Sequence, residues 1–175
     1  MKLYVLRHGE AAEHGDPQYK ENERPLTPKG IQRTKQLAHV LREMEISFDV
    51  ILSSPLTRAK QTADLVARAL KVEVDLTNAL SPSGSVIDLV HELNLIRPTP
   101  ESVLIVGHEP YLSGLISLLC VGSPGLPMKF KKGGLCRMEV DHLTCGQCAI
   151  LEWLAPPRLF GQAKAAREKE SKGRE

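Results

Sequence analysis

The sequence predicts a single-domain α/β fold, a three-layer sandwich built on a mostly parallel sheet, and three observations predict it. Short β-branched and aliphatic runs alternate with longer stretches whose apolar residues recur at helical spacing. Thr27-Pro28 and Ser54-Pro55 each set a capping hydroxyl before a proline, where a helix would begin. The 175 residues are enough to bury one real core. No internal repeat or second domain is visible. Residues 1–160 read as the domain and 161–175 as a tail.

In chain order, Lys2 to Leu6 reads as a strand. The helix capped by Thr27 carries Ile31, Leu37, Ala38 and Leu41 on one face. Asp49 to Ser53 is a second strand, and Ala59, Ala63, Val66 and Leu70 line the helix after Ser54-Pro55. Val72 to Val74 reads as a short strand, and Val86, Leu89, Val90 and Leu93 mark another amphipathic helix. Ser102 to Val106 is a buried-type strand, followed by a helix with Leu112, Leu115, Ile116 and Leu119. Gly134 to Val140 and Cys148 to Leu154 read as two last strands joined by a polar turn. From about Gly161 the chain is charged and nearly free of large apolar groups: a frayed or partner-stabilised helix, or disorder.

Composition removes several classes of function. A net charge of +2 and an aromatic content of 4% leave neither a basic footprint nor a stacking surface for nucleic acid. The apolar run from Met1 to Leu6 is too short for a signal peptide, and no stretch reaches membrane-spanning length. The expectation is a cytoplasmic protein with no membrane partner. Its four cysteines are then free thiols, and Cys145-Gly146-Gln147-Cys148 reads as a loop holding two of them.

In open α/β sheets ligands bind beyond the carboxyl ends of the strands. Arg7-His8-Gly9 follows the first strand, Arg58 lies in the first turn after the second, and His108 follows the Ser102 strand. Four cationic or imidazole groups at one rim describe an anion pocket. Phosphoryl transfer asks for positioning and for countercharge on three equatorial oxygens. Guanidinium forks suit that task, so Arg7 and Arg58 are candidate phosphate ligands. His108 can donate to an equatorial oxygen. A neutral His8 can act as nucleophile, kept unprotonated by neighbouring arginines and fixed in one tautomer by a backbone carbonyl. Gly9 would let the chain pass close beneath the phosphate.

Arg7-His8-Gly9-Glu10, the stretch Ser53-Ser54-Pro55-Leu56-Thr57-Arg58-Ala59-Lys60-Gln61-Thr62-Ala63, and Gly107-His108 together resemble the histidine phosphatase superfamily. Arg24-Pro25-Leu26-Thr27, Leu80-Ser81-Pro82-Ser83-Gly84 and Trp153-Leu154-Ala155-Pro156 are similar to its SixA branch, the phosphohistidine phosphatases. The resemblance spans about residues 2 to 160. It implies a phosphoglycerate mutase-like fold with a minimal cap, and His8 as the phosphorylated nucleophile. It further implies Arg7, Arg58 and His108 as phosphate ligands, no metal and no other cofactor. Arg24 is either a further phosphate ligand or an anchor for the loop before the first long helix. The implied partner is a phosphohistidine-bearing phosphocarrier or phosphotransfer protein. A general small-metabolite phosphomonoesterase and a non-catalytic phosphate binder are the alternatives.

One departure from the family pattern is informative. Larger members place a proton-donating glutamate where this chain reads Ala79 to Gly84, without a carboxylate before Asp88. A phosphate ester expels an alkoxide and needs a strong general acid, whereas a protonated phosphoimidazole leaves as neutral imidazole. The gap favours a P–N substrate. Glu10 and Glu109 could supply a proton, or could be charges set at helix N-termini. His14, His39, His91 and His142 read as surface residues. Lys129, Lys131 and Lys132 form a short basic cluster that reads first as a solvated face, with a docking patch for an acidic partner as the alternative.

Overall fold

The first strand is apolar on both of its faces, and that decides the architecture. In the computed structural model, which describes residues 1–161, β1 (Lys2–Arg7) buries Leu3 and Val5 on one side and Tyr4 and Leu6 on the other. A strand buried on both faces needs helices above and below it, which is the environment of a parallel sheet. Four more strands, β2 (Val50–Ser53), β3 (Val74–Leu76), β4 (Ser102–Gly107) and β5 (Leu135–Val140), and the last, β6 (Ala149–Ala155), complete a sheet of order β3-β2-β4-β1-β5-β6. Pairing is parallel from β3 through β1, then antiparallel for β5 and β6.

The helices divide between two cores. Helices α1 (Pro28–Glu43) and α2 (Thr57–Leu70) bring Leu37, Leu41, Ala59, Ala63 and Val66 against Tyr4, Leu6, Leu104 and Val106. Helices α3 (Val86–Leu95) and α4 (Tyr111–Val121) bring Leu89, Leu93, Leu112, Leu115 and Ile116 against Leu3, Val5, Val103 and Ile105. This is the three-layer, mostly parallel sandwich that the alternation predicts. No helical domain is inserted over the carboxyl ends of the strands among the described residues.

Thr27 caps α1 as expected, its Oγ1 accepting from the Gly30 N–H at 3.0 Å, a bond that contributes about 1 kcal/mol to helix stability. The reading of Ser54-Pro55 as a second cap is overturned. Helix α2 starts only at Thr57, with Leu56 in the capping position and no side-chain cap. Ser54 is still tied to the sheet, its N–H donating to the Val106 carbonyl at 3.0 Å, so the chain needs further residues before it can turn into a helix. The short strand expected over Val72 to Val74 begins at Val74. The Val72 N–H is spent closing α2 on the Ala67 carbonyl, beyond Lys71 in the left-handed conformation.

Cys145 and Cys148 lie in the turn between β5 and β6, and all four cysteines are free. After β6 the backbone turns helical over 157–161, where Phe160 covers the core beneath α1 and α2. The charged tail expected from 161 onward lies outside the described residues apart from Gly161. Among the described residues no helix is long and apolar enough to cross a membrane.

Candidate active site

Sheet register assembles the site. Arg7 pairs with Gly107 across β1 and β4, so His8 and His108, one residue further on, leave adjacent strands side by side. Their ring centroids lie 5.1 Å apart, close to the spacing of neighbouring strands. Ser53 pairs with Val106 on the other side of β4, which puts Ser54 beside His108. Helices α2 and α4 both start at this end of the sheet, adding the partial positive charge of their N-termini.

His8 is 6% exposed, and its Nδ1 lies 2.8 Å from the Gly9 carbonyl oxygen. A carbonyl only accepts, so Nδ1 carries the hydrogen and Nε2 keeps its lone pair. Burial is the main reason its pKa is pushed down to about 3; the Gly9 carbonyl pulls upward, and His108, Arg58 and Arg7 press it further down. His108, 2% exposed, is pushed down to about 4 by burial first and then by Arg58, Arg7 and Arg24. Both rings are therefore neutral at pH 7. His108 Nε2 contacts Ser54 Oγ at 2.9 Å, while its Nδ1 is buried with no partner.

These depressed values carry a stability consequence. Above the ordinary histidine value of 6.5 neither folded nor unfolded chain is protonated at these rings, so they add no pH dependence. As pH falls below it, the unfolded chain takes up protons that the folded site refuses, and stability is lost down to about pH 3 for His8 and about pH 4 for His108. Between about pH 7.5 and pH 4.5 each ring should cost roughly 2–3 kcal/mol. Urea unfolding of His8→Asn should show a correspondingly smaller acid loss than the wild type. An identical pH dependence for the two proteins would contradict the buried, neutral assignment.

The arginines surround the two rings. Arg7 donates from Nη1 to the Phe130 carbonyl at 2.6 Å, and Arg58 from Nη1 to the Glu21 carbonyl at 2.8 Å. Arg24 donates from Nη1 to the Ala12 carbonyl at 2.6 Å and pairs through Nη2 with the Glu21 carboxylate. In each case the Nε is buried and unpartnered. Three guanidinium Nε atoms and the His108 Nδ1 are thus polar atoms in want of a partner, an arrangement that an oxyanion would satisfy. The Arg24 side chain anchors the 12–24 loop, and its charge is felt at Arg58 and His108.

Packing leaves no room for a side chain at Gly9. A Cβ there would meet Thr34 Oγ1 at 2.9 Å and Leu26 Cδ2 at 3.2 Å, so α1 and its leading loop occupy the space. Its N–H donates to Thr62 Oγ1 at 3.0 Å, and Thr62 in turn donates to the Arg58 carbonyl at 2.7 Å. The two candidate acids differ in setting. Glu10 is engaged by Lys29 at 3.3 Å and Arg33 at 3.6 Å on α1. Glu109 accepts from the Ser113 N–H at 2.9 Å in the first turn of α4, and its charge is felt at Arg7.

Four contributors escape a reading of the sequence. The Ser54-Pro55 pattern reads as a cap, whereas strand adjacency places Ser54 beside His108. Thr62 lies one helical turn beyond Arg58 and could have been found from that spacing. The Phe130 carbonyl gives no side-chain signal. Glu21 sits in an irregular loop, where its carboxylate meets Arg24, Arg58 at 3.5 Å and His14 at 2.7 Å. Bonding to Arg24 is the main reason its pKa falls to about 2.

A mostly parallel sheet here ends in two neutral histidines and three half-satisfied guanidiniums, the setting of an anion site, and the chain belongs to the histidine phosphatase superfamily of hydrolases. The family model for branch 1 of that superfamily matches residues 3–81. An uncharacterized protein of Picosynechococcus is 38% identical over 138 residues, covering 77% of this chain and 82% of that one. Phosphohistidine phosphatase SixA of Escherichia coli is 27% identical over 168 residues, covering 94% of this chain and 99% of its own. The solved structure of the protein histidine phosphatase SixA complexed with tungstate superposes with a TM-score of 0.79 at 26% identity, covering 91% of this chain and 99% of that one.

Proposed function

We propose that this protein is a phosphohistidine phosphatase acting on a phosphocarrier or phosphotransfer protein. The observation that carries the reading is the His8 ring: neutral, held by the Gly9 carbonyl, and within electrostatic reach of Arg7, Arg58 and His108, whose Nε and Nδ1 atoms are buried without partners. In the first step His8 Nε2 attacks phosphorus as the P–N bond of the substrate breaks. The phosphoryl group moves to His8 and the partner's imidazole leaves neutral, keeping the proton on its distal nitrogen. In the second step water attacks phosphorus and the His8–P bond breaks. Inorganic phosphate departs, its new proton passing to solvent or to a nearby carboxylate, and neutral His8 is restored.

Arg7, Arg58 and Arg24 balance the oxygens' charge, and His108 donates from Nδ1 while Ser54 donates its hydroxyl to Nε2. None of these steps draws on a metal. Two features favour a P–N substrate. The segment from Ala79 to Gly84 lies against the site, with the Leu80 carbonyl 3.2 Å from where a Cβ on Gly107 would stand, and it offers no carboxylate. Among the described residues no inserted domain covers the site, which leaves room for a histidine borne on a protein. Glu109 is better placed than Glu10 to hand on a proton.

Turnover of a phosphohistidine-bearing phosphotransfer protein in excess EDTA, set beside a panel of sugar and amino-acid phosphates, tests the reading. The protein substrate should be preferred in kcat/KM by about 100-fold or more. A preference for one of the monoesters would make this a metabolite phosphatase, and turnover only after a divalent metal is restored would refute the mechanism.

A further inference from the structure

We propose that the turn carrying Lys129, Lys131 and Lys132 is a docking surface for an acidic face of the protein that bears the phosphohistidine, an inference that rests on the function proposed above. The turn is bound directly to the reacting motif. Phe130 is 3% exposed, packed in the core, and its carbonyl takes the Arg7 Nη1 bond. The Lys131 carbonyl accepts from the Gly134 N–H at 2.8 Å, closing a tight turn. Gly133, at a φ of 73° that disfavours any side chain, donates its N–H to the carbonyls of Arg7 at 3.0 Å and His8 at 2.9 Å. The three lysines thus project from backbone hydrogen-bonded to the backbone of Arg7 and His8.

All three side chains are exposed, and none forms an ion pair among the described residues. Elsewhere on this surface Lys20, Lys29 and Lys60 each face a carboxylate of the same chain, whereas the other unpaired lysines among the described residues, Lys2, Lys35 and Lys71, stand singly. Three like charges within four residues repel one another and gain nothing within the fold. On a chain of net charge +2 they are a local concentration of positive charge at the mouth of the phosphate site. Lys132 also lines a groove that it shares with Glu10, Glu13 and Asp16, so positive and negative groups of this chain stand near one another beside the turn. Such an arrangement steers an acidic protein surface onto the lysines and sets its orientation, an effect felt in the rate of encounter and in its salt dependence.

The test is the charge-reversed variant Lys129→Glu/Lys131→Glu/Lys132→Glu, with the triple glutamine variant beside it in case reversal impairs folding. Each is assayed on a phosphohistidine-bearing phosphotransfer protein and on phosphoramidate, at low and high salt. With the protein substrate, kcat/KM should fall roughly 10- to 100-fold on reversal and lose most of its salt dependence, while phosphoramidate turnover stays within about twofold. An equal loss on both substrates would assign the turn to holding Arg7 and overturn docking. Wild-type turnover of the protein substrate at a rate that neither variant changes would overturn docking while leaving the function intact. Wild-type turnover of phosphoramidate but not of the phosphoprotein would remove the functional reading and docking with it. Cosedimentation with phosphatidylserine vesicles that the variants abolish, with phosphoprotein turnover unchanged, would reassign the patch to a membrane surface.

Discussion

His8→Ala should abolish turnover of any phosphorylated substrate, by at least about 10³-fold in kcat, while leaving a folded protein. The expectation follows from how little else in the site can form a bond to phosphorus. His108 shares the burial and the depressed pKa, but its Nε2 is engaged by Ser54, and in the proposed mechanism its Nδ1 is the donor to an equatorial oxygen. The arginines have no lone pair to offer. Folding should survive because the His8 N–H, which donates to the Gly107 carbonyl at 3.1 Å, belongs to the backbone and is kept by alanine. Removing a buried ring leaves a cavity, but it also removes a group whose burial as a neutral imidazole weakens the fold in acid. Steady-state turnover together with the thermal midpoint checks both halves. A variant with full activity would end the covalent mechanism.

The second large effect is expected at Arg58. Arg58→Lys keeps the charge and loses the planar fork, and kcat/KM should drop by about 10²- to 10³-fold. Arg58 is 4% exposed at the start of α2, with Nη1 committed to the Glu21 carbonyl and Nε buried without a partner. A lysine ammonium cannot hold the loop and reach the phosphate at once from that position. The loss should appear in both KM and kcat, because the same fork binds the ground-state oxygens and the more charge-separated transition state. A change confined to KM would mean that Arg58 serves only to bind the substrate. Arg24→Lys should give a smaller loss, since its guanidinium is more fully committed to Ala12 and Glu21.

Much of this was legible because the information is local. The apolar runs at Leu3 to Leu6 and Val103 to Val106, bounded by polar residues, marked both the central strands and the residues that leave their ends. His8, Arg58 and His108 each stand within a few residues of a strand terminus, so the rule for open sheets was enough to bring them together. What escaped depends on long-range geometry. Whether Ser54 caps a helix or meets His108 turns on the pairing of β2 with β4, and the cap pattern pointed the wrong way. Glu21 and the Phe130 carbonyl reach the arginines from irregular segments whose paths have no period to read. At Gly9 the neighbours that exclude a side chain are α1 and the loop before it, which no local pattern around Gly9 announces.

The most direct measurement is of the phosphoenzyme itself. Wild-type protein mixed with labelled phosphohistidine substrate and quenched in alkali within a few turnovers should carry one acid-labile phosphoryl group on the peptide containing His8, formed and discharged no more slowly than steady-state turnover. Label on His108 or any other residue, or turnover with no labelled enzyme at any time, would contradict the account.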